Sequence, residues 1–326
     1  MSNKQQYNSG VREIFSNFSR DPCLNKSCVN VCPVGFTCMR AAPPRFGELR
    51  LDFFGCNLKC PFCWTINKPL LWSPDEVHEY IRCRFDKYYN SGLGITITYL
   101  RITGGEPILS EERINHLLDL FSLIDSDIKR DKVYSIWKAR RLPQNIRGRK
   151  NIKIQTNGLM IPSFHKEFIG ELKNFENISF TFEVSLKGTN PCEFAILTGG
   201  LSGEKFFEQV RAIEELIEYE KQGYPLFVRG ILGIFHSEQY DLIFPRNGKM
   251  MLNPSKEFIN IVNALMHMPR PQERFYVEPL RFTEQMSRKE EHCRKIGIIT
   301  SPSLGKGIKA GKKIPMKNTY LWKLLH

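Results

Sequence analysis

From about residue 46 onward, short segments of alternating apolar and polar residues take turns with longer segments of helical periodicity. This order is typical of βα units, whose strands form a parallel sheet covered by helices. Six such units can form a doubly wound sheet or an incomplete barrel. The pattern predicts an α/β protein with six core strands, at residues 47–53, 96–103, 151–155, 178–187, 226–235 and 274–280.

Helix signals lie between the candidate strands. Ser73 is followed by Pro74 and Glu76, which predicts a capping box with proline at the first helical position. A second helix is predicted at residues 256–268, directly after a serine. Residues 204–222 place their apolar side chains on one stripe, as expected for a helix that packs against a sheet.

Composition limits the class of protein. The chain has 326 residues, of which 41% are hydrophobic and 25% charged, and this excludes a disordered or fibrous protein. Because no long apolar run is present and the first residues are polar, we expect no membrane span and a cytoplasmic location. We expect three parts: a Cys-rich N-terminal extension at 1–45, a core at 46–282 and a basic C-terminal tail at 283–326.

Ten cysteines in a long chain without an export signal indicate metal binding or catalysis rather than disulfides. Cys56, Cys60 and Cys63 have C-x3-C-x2-C spacing in a loop directly after the first strand. Random placement of the cysteines would give this spacing on the order of 0.01 times per chain. Three thiolates so close together can bind one iron–sulfur cluster, and a zinc site that borrows a fourth cysteine is the alternative.

This loop, in which Phe62 precedes the last cysteine, resembles the C-x3-C-x-aromatic-C motif of the radical S-adenosylmethionine (SAM) superfamily. The resemblance covers about residues 46–281. It implies that Cys56, Cys60 and Cys63 hold three irons of a 4Fe–4S cluster and leave the fourth iron open to SAM.

Gly104, Gly105, Glu106 and Pro107 follow the second strand and resemble the superfamily's GGE motif. The resemblance implies that their backbone and carboxylate meet the amino group of SAM, and glycines permit so close an approach.

Two further segments, residues 156–158 and 185–188, resemble the glycyl-radical-activase branch, although Ser185 stands where that branch often has Asp. The resemblance makes Lys187 the candidate partner of the SAM carboxylate. Asn157, Ser185 and Arg229 are further candidates for contacts to SAM or substrate.

The chemistry that the resemblance implies is reductive cleavage of SAM to a 5′-deoxyadenosyl radical that abstracts hydrogen. Such an oxidoreductase or activase takes its electron from a donor such as ferredoxin or flavodoxin. The activase-like segments suggest a protein as the molecule that is acted upon.

Strand periodicity offers an independent indication of the fold. In the fourth strand Glu183 and Ser185 alternate with Phe182 and Val184, so one face is polar and the other apolar. A compact TIM barrel fills its interior with branched apolar side chains. The polar face therefore favours the wider, partial (β/α)6 TIM-type barrel that the resemblance implies.

Four cysteines upstream of the loop form a second group with a spacing that matches no tight zinc-finger rule. They could bind a second Fe–S cluster or zinc, or they could be buried or chance thiols. These cysteines are Cys23, Cys28, Cys32 and Cys38.

The net charge of +13 favours an anionic partner. Basic residues crowd around Trp137 in residues 129–150, and residues 292–326 contain no Asp or Glu. Two alternatives therefore stay open: a radical SAM enzyme that modifies RNA, and a zinc-stabilised nucleic-acid-binding protein without catalysis. Residues 197–203 are glycine-rich, lack the P-loop lysine, and are predicted to form a turn that enters a helix.

Overall fold

The computed structural model describes residues 35–41, 48–53, 55–60, 63, 70–92, 94, 96–139, 142–143, 146–234, 254–279 and 314–315. The predictions for Cys23, Cys28, Cys32 and most of the basic tail lie outside the described residues. Cys38 is described by its backbone alone.

Nine strands are found in the described part of the chain. They are β1 (Gly35–Ala41), β2 (Glu48–Phe53), β3 (Leu70–Leu71), β4 (Tyr99–Gly104), β5 (Lys150–Thr156), β6 (Ile178–Leu186), β7 (Leu226–Ile234), β8 (Phe275–Pro279) and β9 (Ile314–Pro315).

The strand order is β3-β1-β2-β4-β5-β6-β7-β8-β9. The six core strands β2, β4, β5, β6, β7 and β8 run parallel, and among the described strands the sheet does not close. This topology confirms the predicted α/β class and agrees with a partial (β/α)6 barrel.

Strand β1 was not expected, because the sequence around it has no clear period. It pairs antiparallel with β2, with Met39 opposite Leu51 and Ala41 opposite Leu49. A neighbouring strand supplies backbone hydrogen bonds whatever the side-chain pattern, so an irregular sequence can still form a strand at a sheet edge.

The second core strand begins later than predicted. Residues 96–98 were expected in it, but Ile97 forms an isolated bridge with Trp137. The Ile97 N–H donates to Ile136 O, and the Lys138 N–H donates to Ile97 O. The partner segment thus takes the backbone hydrogen bonds that a sheet neighbour would have made.

Six α-helices are found among the described residues: α1 (Pro74–Asn90), α2 (Glu111–Asp127), α3 (Ile161–Phe164), α4 (Pro191–Leu197), α5 (Phe206–Lys221) and α6 (Lys256–His267). The predicted capping box is confirmed, because Ser73 Oγ accepts from Glu76 N and Glu76 Oε2 accepts from Ser73 N. Residues 204–205, expected in α5, belong to a short 3₁₀ turn before it.

The chain divides into two compact units. The first comprises Met1–Gly55, Ile66–Ile154 and Gly170–Phe180. In its core the Phe85 ring packs against Tyr134 and Trp137, with centroids 5.1 and 5.4 Å apart. Burial of such large apolar rings is the main favourable term in the stability of this unit.

The second unit comprises Cys56–Thr65, Gln155–Ile169 and Thr181–His326. Its helix α5 lies on β7, and Phe258 of α6 packs edge-on against Phe275 of β8. The polar face predicted for the fourth core strand is buried here, since Thr181 and Glu183 are at most 2% exposed. Buried polar groups need partners, so this face is a place for ion pairs or ligands.

Candidate functional site

The three-cysteine loop follows β2 and belongs to the second unit. Cys56 is exposed, whereas Cys60 and Cys63 are half-buried. A turn joins the last two, because the Cys63 N–H donates to Cys60 O over 3.0 Å. Cys60 and Cys63 are thus linked through the backbone, and Cys56 is the exposed member of the three.

A glycine-rich segment holds the middle of this loop. The Lys59 N–H donates to Thr198 O over 3.2 Å, and a Cβ on Gly199 would lie 2.4 Å from Lys59 O. Gly199 also has a φ of +76°, a conformation that side chains other than glycine rarely adopt. The segment was predicted as a helix-entry turn, and the structure adds a contact with the cysteine loop.

Two N–H groups point at the Cys56 sulfur. The Leu58 N–H lies 3.4 Å from Cys56 Sγ, and Asn157 Nδ2 lies 3.6 Å from it. Asn157 Nδ2 also donates to Asn57 Oδ1 over 2.7 Å. Hydrogen bonds to sulfur are one of the features by which proteins tune iron–sulfur clusters.

The pKa of the Cys60 thiol lies above its ordinary value, because burial is the largest of several influences on it. Burial raises the pKa of its thiol, the positive charge of Lys187 lowers it, and neighbouring Cys63 raises it. Lys187 is therefore close enough to Cys60 to act on it electrostatically. The candidate SAM residue Lys187 and the candidate cluster ligand Cys60 thus belong to the same unit.

The candidates on β6 contact each other directly. Lys187 Nζ donates to Ser185 Oγ over 2.9 Å. The Lys187 N–H donates to Oε1 of Gln209, a buried residue of α5. Gln209 Nε2 in turn donates to Asn157 O and Ser185 O.

Gln209 is the residue that sequence reasoning missed. A signal was present, because Gln209 is a polar residue on the same stripe as Phe206 and Ile213, where the helix buries its apolar side chains. A polar side chain at such a position needs buried partners. The sequence could have indicated an unusual residue there but not which strands it joins.

Arg229 lies between two carboxylates. Its guanidinium is 3.5 Å from Glu183 Oε1 and 3.2 Å from Glu273 Oε2. Its Cζ atom also lies 4.8 Å from the Phe227 ring centroid and 5.9 Å from that of Tyr276. Arg229 thus belongs to a half-buried polar network that links β7 to β6 and to the turn before β8.

The glycine motif at residues 104–107 lies in the first unit. The Gly105 N–H donates to Phe53 O, and the Glu106 N–H donates to Gly55 O, both over 2.8 Å. Gly55 is the residue directly before Cys56 in the chain. The Glu106 side chain is buried, and its Oε1 accepts from the Ile108 N–H over 3.0 Å.

The donor chemistry of the loop fits an iron–sulfur cluster, because cysteine thiolates are the usual ligands of these clusters and N–H groups approach one sulfur. Among the described residues, no three His, Cys, Asp or Glu side chains are placed to hold a metal ion together. The fit therefore rests on ligand type and spacing and not on a preformed set of ligands.

The basic segment differs from an RNA-binding surface in one respect. Trp137, which the RNA alternative uses, is completely buried and packs in the core of the first unit. Lys150 Nζ donates to the carbonyl oxygens of Tyr134 and Trp137, and Arg149 donates to Phe175 O. Part of the positive charge therefore stabilises local structure, and Trp137 cannot stack on a base.

No helix in the described part of the chain is long and apolar enough to cross a membrane.

In the comparisons with known proteins, only the search of solved structures finds similar proteins. No protein-family model and no curated protein matches the sequence. Streptococcus suis SuiB bound to S-adenosylmethionine is 15% identical with a TM-score of 0.38, over 76% of this chain and 44% of that one. A second SuiB structure is 13% identical with a TM-score of 0.34, over 73% of this chain and 50% of that one.

A third solved structure is OxsB, a cobalamin-dependent S-adenosylmethionine radical enzyme. It is 13% identical to this chain with a TM-score of 0.36, over 85% of this chain and 35% of that one. The chain thus spans half or less of the length of each of these proteins.

Proposed function

We propose that this protein is a radical SAM enzyme whose Cys56, Cys60 and Cys63 bind a 4Fe–4S cluster. One observation carries the proposal: within one unit, a side chain that the motif resemblance makes a candidate for contacts to SAM or substrate touches the cysteine loop. Asn157 donates towards Cys56, and the charge of Lys187 acts on Cys60.

The chain's own residues would orient SAM. Lys187 is an ammonium point charge suited to the SAM carboxylate, and Ser185 holds its Nζ in place. Glu106 is a buried carboxylate suited to the SAM amino group, as the motif resemblance suggests. When bound, the cluster would supply one electron for cleavage of SAM into methionine and a 5′-deoxyadenosyl radical.

Anaerobic reconstitution followed by reduction tests this proposal. The wild-type protein should be brown, contain iron and sulfide, and release 5′-deoxyadenosine from SAM. Cys60→Ser should lose iron and product, whereas Cys192→Ser, which removes an exposed thiol of the same unit, should keep both.

Two results would count against the proposal. One is a reduced, cluster-loaded wild type that releases no 5′-deoxyadenosine while a known radical SAM enzyme does so in parallel. The other is a colourless protein that retains stoichiometric zinc, which would support the nucleic-acid-binding alternative.

For the target of the radical, the proposal is hydrogen abstraction from a protein, with ferredoxin or flavodoxin as the electron donor. The supporting observation is the activase-like sequence at residues 156–158 and 185–188. RNA is the second candidate because of the basic tail, but burial of Trp137 removes its aromatic contact. Transfer of deuterium from a labelled candidate substrate into 5′-deoxyadenosine would separate the two.

A further inference from the structure

Gln209 is a fully buried amide on the buried face of α5, whose other buried residues are apolar apart from Glu220. Burying an amide without partners is unfavourable by a few kcal/mol, roughly 1–3 by protein mutagenesis. A leucine at this position would pack against the sheet without that penalty. The stability of a glutamine at this position therefore depends on the groups that its polar atoms bind.

The side chain uses its polar atoms on two separate segments. Its Nε2 group donates to Asn157 O at the end of β5 and, over 3.2 Å, to Ser185 O near the end of β6. Its Oε1 accepts from the Lys187 N–H over 3.1 Å. Both N–H donors of the amide are thus engaged, together with one lone pair of its oxygen.

All three partners of Gln209 are backbone groups. The junction therefore fixes where the two chain segments lie but leaves the side chains of Asn157 and Lys187 outside it. The Asn157 side chain reaches the cysteine loop, where its Nδ2 donates to Asn57 Oδ1 over 2.7 Å and lies 3.6 Å from Cys56 Sγ. The Lys187 side chain stays at the end of β6, where its Nζ donates to Ser185 Oγ over 2.9 Å. One buried amide thus fixes the backbone from which two candidate site side chains start, and one of them, Asn157, contacts the cysteine loop.

We infer that Gln209 is a positioning residue for the cluster and SAM site, which it serves by joining the ends of β5 and β6. This inference rests on the proposed function, and Gln209 itself touches neither group. Without the junction, Asn157 and Lys187 would sample several positions, and the entropy of ordering them would oppose the binding of SAM.

The matched pair of variants is Gln209→Leu and Val210→Ala. Both residues are buried on α5, so both changes perturb helix packing, but only the first removes the junction. We expect Gln209→Leu to weaken SAM binding to the reconstituted protein at least about tenfold, the scale of one lost buried hydrogen bond. Val210→Ala should change the dissociation constant less than about twofold, because the valine side chain has no polar atom that could join the strand ends.

A second readout does not depend on SAM or on turnover. Hydrogen bonds to cluster sulfurs are among the factors that set the reduction potential. If Gln209→Leu releases Asn157 from Cys56, the cluster midpoint potential should become more negative, because a donor to sulfur stabilises the reduced form. Val210→Ala should leave the midpoint potential unchanged.

If Gln209→Leu does not fold, Gln209→Glu takes its place. A glutamate keeps the shape and an acceptor oxygen of the glutamine, but as a carboxylate it has no N–H donors.

The outcomes separate the inference from the proposed function. A wild type that assembles no cluster and binds no SAM overturns both. If the wild type assembles the cluster and binds SAM, but the variants at Gln209 match Val210→Ala in SAM affinity and in midpoint potential, only the role of Gln209 is overturned. The role is supported if the variants at Gln209 bind SAM more weakly and have a lower cluster midpoint potential, while Val210→Ala does not.

Discussion

At the scale of single residues, two backbone segments of the first unit approach each other closely at Gly105. A Cβ on this residue would lie 2.0 Å from Gly55 O, closer than any real contact between such atoms. The Gly105 and Glu106 N–H groups also bond to the residues just before the cysteine loop. The glycine of this motif is therefore required by packing, whatever else it contacts.

Replacement of Gly105 by alanine tests this requirement. We expect Gly105→Ala to lower the free energy of unfolding by at least about 2 kcal/mol, because backbone must move to admit the methyl group. Gly170→Ala is the control, since a Cβ there meets nothing within 4 Å. Urea denaturation measures both, and equal stabilities of the two variants would contradict the expected clash.

At the scale of elements, the glycine-rich segment after α4 and the cysteine loop contact each other through backbone atoms. Gly199 and Gly200 have similar φ angles of +76° and +92°, so alanine strains the backbone at either one. Only at Gly199 would the added Cβ also meet Lys59 O, whereas at Gly200 it meets nothing within 4 Å. A comparison of alanine variants at Gly199 and Gly200 thus separates the effect of backbone strain from the effect of losing the contact with the cysteine loop.

From this contact we predict that Gly199→Ala displaces the cysteine loop and impairs cluster assembly. Iron per chain after anaerobic reconstitution and desalting should fall at least about twofold below that of Gly200→Ala, the scale of a small loss in site geometry. Iron contents that agree within error would show that the segment does not support the loop.

Helix α5 carries a buried ion pair as well as Gln209. Glu220 accepts two hydrogen bonds from Arg274, both 2.6 Å long, and Arg274 is fully buried. Glu220 Oε2 also accepts from the Val228 N–H over 3.0 Å. Removal of the carboxylate would leave a buried positive charge without its partner, which is far less favourable than loss of an exposed pair.

We therefore expect Glu220→Ala to destabilise the protein by about 3–5 kcal/mol. Glu218→Ala on the same helix removes a pair with Lys221 in which both side chains are more than half exposed, and it should cost less than about 1 kcal/mol. Chemical denaturation of both variants checks the contrast. A loss below about 1 kcal/mol for Glu220→Ala would contradict it.

At the scale of the whole molecule, stability should depend on pH through His116. Burial, followed by the charge of Arg113, lowers the pKa of this histidine to about 4 from its usual 6.5. Between these two values the unfolded chain binds a proton that the folded protein does not bind. Stability is therefore lost as pH falls from about 6.5 towards 4, by at most about 3 kcal/mol.

The variant that tests this dependence is His116→Leu, which removes the titrating group from α2. We expect its unfolding free energy to fall less steeply between about pH 6.5 and 4.5 than that of the wild type. His267→Gln, which changes an exposed histidine, should keep the wild-type slope. An unchanged slope in His116→Leu would assign the acid sensitivity to other groups.

Much of this architecture follows from local sequence pattern. The six core strands, the capping box at Ser73 and the apolar stripe of α5 were predicted correctly to within a few residues. Each depends on periodicity or on hydrogen bonds between residues close in sequence. A short stretch of sequence is therefore enough to predict such a feature. The spacing of Cys56, Cys60 and Cys63 is likewise a local signal.

Other features depend on which segments become neighbours. Strand β1, the bridge from Ile97 to Trp137 and the burial of Trp137 are set by partners distant in sequence. The same holds for Gln209, whose backbone partners lie 22 to 52 residues away. The sequence by itself determined the six core strands, three of the helices and the spacing of the cysteine loop, because these follow from local periodicity and spacing. Only the tertiary structure decided that a buried glutamine joins the strand ends beside that loop, because hydrogen bonds between distant segments leave no periodic trace.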